Sequence, residues 1–75
     1  MHRLGEVVRT AQNLAIVQSP SEDYPDIGTM VVDESLQTVG RVVDVFGPVS
    51  QPYVAVSPDE DTRLAMLVGS KLYAR

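Results

Sequence analysis

The sequence predicts an all-β fold, a small closed barrel of five or six short strands. Valine supplies most of the 44% apolar share, and it suits the pleated surface of a strand better than a helix. The β-rich runs are short and closely spaced, with turn residues between them, and no longer stretch shows helical apolar spacing. Closing such a sheet on itself removes the free edges that invite aggregation. Seventy-five residues make one domain, 1–75, whose small core leaves a thin stability margin. Cysteine is absent, so neither a disulfide nor a thiolate metal site can compensate, and packing or a partner must.

Taken in order, 4–10 (LGEVVRT) and 14–18 (LAIVQ) are β-rich runs separated by Ala11-Gln12-Asn13, the spacing of a hairpin. Residues 19–26 (SPSEDYPD) gather two prolines, serines and acids, the composition of a solvated loop with Tyr24 as its one candidate anchor. Thr29 to Val32 is the next strand, and Asp33-Glu34-Ser35 breaks it. Thr38 to Phe46 (TVGRVVDVF) is the longest strand signal. Gly47 to Pro52 reads as a turn framed by two prolines, and Tyr53 to Ser57 as a further strand. An acidic loop follows at 58–62; 63–68 fits a strand or a short helical turn equally well, and Lys71 to Tyr73 is the last strand.

Strict alternation along 38–46 puts Val39, Arg41, Val43 and Val45 on one face and Gly40, Val42, Asp44 and Phe46 on the other. Neither face is cleanly polar. A small barrel has one interior, so the second set is covered by a loop, by a bulge that shifts the alternation, or by another molecule. On the same alternation Arg41 and Asp44 point to opposite faces. Gly40 in mid-strand fits a bulge, a bend or a close backbone approach.

The turn that follows is apolar where turns are usually polar. Phe46, Gly47, Pro48 and Val49 stand together, with Pro52 and Tyr53 beyond. Apolar side chains on a loop stiffened by Pro48 and Pro52 meet a partner with little ordering entropy left to lose, the arrangement of a compact hot spot. The competing reading makes Phe46, Val49 and Tyr53 a plug for one end of the barrel.

Six Lys plus Arg stand against ten Asp plus Glu, a formal charge of −4. Proteins that bind the phosphate backbone usually carry the opposite sign, so an affinity-bearing RNA contact is disfavoured and a basic protein surface is the better complement. The only histidine is His2, and Asp33, Glu34 and Asp44 have no accompanying element that would mark a cleft, which argues against catalysis. Asp59-Glu60-Asp61 lacks the glycine and terminal glutamate of a calcium loop. We therefore expect no metal or cofactor. With no apolar run near the ~18 residues of a membrane helix, the sequence reads as a soluble intracellular protein.

The run Val39-Gly40-Arg41-Val42-Val43-Asp44-Val45-Phe46-Gly47-Pro48-Val49, followed by Pro52-Tyr53-Val54, resembles the core domain of the Gar-type subunit of H/ACA ribonucleoproteins. Looser similarity extends to Arg3-Leu4-Gly5, Ile27-Gly28, Val32-Asp33, Val68-Gly69 and Lys71-Leu72-Tyr73. The resemblance implies a six-stranded barrel without catalytic activity. It further implies docking on a dyskerin-type pseudouridine synthase in a particle whose guide RNA selects the uridine of rRNA, where the subunit aids substrate loading and turnover. The docking residues it implies are Phe46, Gly47, Pro48, Val49, Pro52 and Tyr53, with Gly40, Arg41 and Asp44 as further members.

The glycine-arginine-rich tails of eukaryotic relatives are absent, which implies an archaeal-type minimal form and a cytoplasmic location; a eukaryotic member would be nucleolar. Acidic loops at Glu22, Asp23 and Asp26 and at Asp59, Glu60 and Asp61 weigh against a tail-like RNA role. Two alternatives stand beside this reading. One is the core domain of a related Naf-type assembly factor; the other is a stand-alone RNA-binding barrel, which should show a basic groove with stacking aromatics. An uncovered apolar docking surface would also allow the isolated domain to form a homodimer.

Overall fold

The computed structural model describes residues 2–19, 25–60 and 62–75. Six antiparallel strands close into a barrel: β1 (His2–Ala11), β2 (Leu14–Gln18), β3 (Met30–Val32), β4 (Thr38–Phe46), β5 (Tyr53–Pro58) and β6 (Lys71–Ala74). Their order around the barrel is β1-β2-β5-β4-β3-β6, with β6 returning to β1. The expected all-β closed barrel is therefore the observed fold. Differences of detail are small. β1 starts earlier and runs to Ala11, so the hairpin turn is the two residues Gln12-Asn13. Both have positive φ, 51° and 64°, as a type I′ turn requires to match the strand twist. Pro20, Glu22, Asp23, Tyr24 and Asp61, which figured in the loop expectations, lie outside the described residues.

The interior is almost wholly aliphatic: Leu4 and Val7 from β1, Ala15 and Val17 from β2, Val54 and Val56 from β5, Val31 from β3 and Leu72 from β6. Each is nearly solvent-free, so each contributes on the order of 1.5–3 kcal/mol of burial if it is a valine or leucine. Residues 63–68, left open between strand and helical turn, form a 3₁₀ turn at Leu64–Met66. That turn tucks Leu67 into the core and packs Leu64 against it.

β4 contributes Val39, Val42 and the partly buried Val45 to the interior, a spacing of three where a regular strand has two. Two bulges produce it. Against β3, Val31 pairs with Gly40 and Val32 with Thr38, leaving Val39 as the extra residue. Against β5, Val42 pairs with Val56 and Asp44 with Ala55, leaving Val43. Of the three ways to cover a second apolar face, the shifted alternation is the one β4 uses. The parity expectation for Arg41 and Asp44 is thereby overturned, since both are exposed on the outside.

Beyond the last paired residues of β4 and β5, Val39 lies opposite Asp59 and its carbonyl faces the β5 side. It accepts from Asp59 N–H at 2.8 Å and Thr62 Oγ1 at 3.1 Å, which ties the connection after β5 over that end of the barrel. Gly40 is needed beside it, because a Cβ there would run into the Ser57 carbonyl oxygen of β5.

Candidate functional site

At the far end of β4 the chain leaves the barrel through Phe46 and returns at Tyr53, its cross-strand partner. Their rings stack, with centroids 5.6 Å apart and planes 24° from parallel, a favourable offset pair. Gly47 makes the geometry possible in two ways. Its φ is +90°, a conformation L side chains rarely adopt, and a Cβ there would lie 2.8 Å from Tyr53 Cδ2. The Tyr53 ring thus rests over the glycine backbone.

The rest of the turn is anchored at its base and bare at its tip. Gln51 N–H donates to the Pro48 carbonyl at 3.3 Å, and Ser19 N–H to the Pro52 carbonyl at 3.0 Å. Pro52 is buried, whereas Val49 is 85% exposed and Phe46 39%. A residue so exposed as Val49 plugs nothing, and Phe46 stands outside the inner cluster. This geometry disfavours the end-plug reading and leaves an apolar tip on a stiff support.

Of the residues expected to dock, the structure brings Phe46, Gly47, Pro48, Val49 and Tyr53 together at this end. Asp44 lies two residues from Phe46, on the same outer surface, and its Oδ1 accepts from Val45 N–H at 2.8 Å. Arg41 is exposed farther back, paired with Met30 and Ser57. Gly40 is buried against Ser57 and has no side chain to present. Pro52 supports the turn from beneath.

Sequence reasoning missed the surface next to the turn. Arg9, Ile16, Ala55 and Asp44 are successive cross-strand partners, forming one row across the outside of β1, β2, β5 and β4. Ile16 and Ala55 are only 4% and 2% exposed yet lie outside the inner cluster. The row beside it carries Glu6, Gln18, Tyr53 and Phe46. The Arg9 guanidinium carbon lies 6.0 Å from the Tyr53 ring centroid, so a cation borders the aromatic pair. The available signal was that 14–17 and 54–56 are apolar on both parities, as only a strand covered on both faces should be.

Of the carboxylates weighed as catalytic groups, Asp33 and Asp44 are engaged in local structure and Glu34 is exposed. Asp33 Oδ1 accepts from the N–H groups of Ser35 at 2.8 Å and Gln37 at 3.0 Å. Among the described residues no group of three or more His, Asp and Glu is placed to hold a metal ion, and no helix is long and apolar enough to cross a membrane.

Comparison with protein families finds the Gar1/Naf1 RNA binding region matched over residues 1–75. The chain belongs to the Gar1/Naf1 family. Among solved structures, the barrel of this Gar1/Naf1 domain is similar to one described as the Gar1 domain of Naf1. The TM-score is 0.72 and the identity 15%, over 99% of this chain and 81% of that one. That similarity concerns the fold. Comparison with curated protein sequences finds no match. The family is described by RNA binding and not by a reaction, in keeping with a role associated with H/ACA ribonucleoproteins.

Proposed function

We propose that this Gar1/Naf1 domain is a non-catalytic subunit of an H/ACA ribonucleoprotein that docks on the dyskerin-type pseudouridine synthase and promotes RNA-guided pseudouridylation of rRNA through substrate loading and turnover. One observation carries the proposal. An exposed aromatic, Phe46, is stacked on Tyr53 beside Val49 at the tip of a proline-stiffened turn. Ordered apolar groups of this kind bind protein surfaces with little entropic cost. The acidic charge supports a protein partner over a nucleic acid as the main source of affinity.

The test is pseudouridylation by a reconstituted guide-RNA particle under single and multiple turnover, with and without the domain, alongside its binding to the synthase. The proposal expects binding and a rise in multiple turnover. Phe46→Ala should weaken binding at least about 30-fold, as loss of a hot-spot aromatic does, with the barrel still folded by circular dichroism. A wild-type domain that neither binds the synthase nor alters turnover would sink the proposal. The family description supplies a second reading, direct RNA contact; salt-sensitive binding to guide RNA without the synthase would favour it.

A further inference from the structure

We infer that Arg9 extends the docking site from the turn onto the neighbouring sheet face, where it receives a carboxylate of the protein partner. The inference rests on the docking proposal above and names the chemistry required of the docked surface.

Arg9 is exposed on β1, far in sequence from the turn, but its guanidinium carbon lies 6.0 Å from the centre of the Tyr53 ring. It therefore borders the aromatic pair while Ile16, its own cross-strand partner, is almost fully covered. Among the described residues its side chain forms no hydrogen bond or ion pair, and its contact is with the Tyr53 ring. Other basic side chains are also without a described ion pair, so that lack does not single out Arg9. Its position does. Among the described residues it is the cation shown against the ring on which exposed Phe46 stacks, with a fork of five donors to offer.

A guanidinium so placed matches either a carboxylate or a phosphate, and the surroundings choose between them. Exposed Glu6 and Asp44 share the two rows with Arg9, and the chain carries four net negative charges. A nucleic-acid backbone would bring a line of phosphates against those acids. A protein surface can instead present one carboxylate beside an apolar socket for Phe46, with its remaining rim neutral or basic. As the docked surface excludes water, the Arg9–carboxylate contact gains strength while Tyr53 continues to face the cation.

The full domain and the synthase, without RNA, provide the test by calorimetric titration at low and high salt. Arg9→Met keeps a long unbranched side chain and removes the charge; it should bind about tenfold more weakly at low salt, with a shallower salt dependence. Arg9→Glu should lose more, and Arg9→Lys should keep the salt dependence but not the full affinity. Arg63→Ala, on the connection between β5 and β6, controls for net charge and should bind within about twofold of wild type.

Arg9→Met and Arg9→Glu binding as wild type, while Phe46→Ala does not, would overturn the role of Arg9 and leave the docking site standing. A loss that appears only when guide RNA is added would also overturn it, assigning the cation to phosphate. Absence of wild-type binding would overturn both proposals together.

Discussion

Strand β4 is bounded by two tight turns that solve the same problem with different materials. The turn before it, 33–37, is held by hydrogen bonds of its own. Asp33 N–H donates to the Gln37 carbonyl and Leu36 N–H to the Asp33 carbonyl, while the Asp33 carboxylate takes Ser35 and Gln37 N–H. That density of bonds holds Leu36, a non-glycine residue, at φ +66°. The turn after it, 47–52, has little such bonding and relies on proline rigidity, a glycine and the Tyr53 ring. A turn built from hydrogen bonds turns its polar groups inward on itself. One built from ring packing has its apolar groups at the surface, where another molecule can reach them.

The comparison breaks most visibly at Gly47. Gly47→Ala adds a Cβ at 2.8 Å from Tyr53 and forces alanine to φ +90°. We expect a loss of about 2 kcal/mol, read as a fall in melting temperature on the order of 10 °C. An unchanged melting temperature would show that the ring does not depend on the glycine. Asp33→Ala should cost about 1 kcal/mol by removing both side-chain bonds of the first turn, measured by urea denaturation with an unchanged m-value.

The smallest effect has the opposite sign. Leu36→Gly relieves the left-handed strain at a residue already 60% exposed, against the added chain entropy of glycine, and should stabilise by about 0.5 kcal/mol. Glycine is thus required in one turn and merely missing from the other. A destabilised Leu36→Gly variant would mean that the Leu36 side chain does packing work the exposure conceals.

Strands 14–18 and 38–46 were legible to the residue because turn-forming neighbours delimit them, and 53–58 to within one residue. The apolar turn was also legible, since Phe46 and Val49 beside Pro48 violate the usual polarity of loops. The bulges were not. Four valines stand on both parities of 39–45, and the only polar markers, Arg41 and Asp44 three residues apart, fit opposite faces of a regular strand as well as one face of a bulged one, so the extra residues at Val39 and Val43 emerge only from pairing with β3 and β5. Arg9 was invisible for a different reason. Nothing local distinguishes it, and its closeness to Tyr53 is created by β2 lying between β1 and β5. The 3₁₀ turn at Leu64–Met66 is too short for periodicity to separate from a strand.

Closure of the barrel has an effect on how this family can diversify. With every strand flanked on both sides over part of its length among the described residues, the barrel has no strand that is an edge throughout, and recognition falls largely to surface side chains. Architecture and affinity are then separately heritable. The scaffold persists in a structure of 15% identity, and a few replacements on the outer rows could redirect this domain without disturbing a single interior valine.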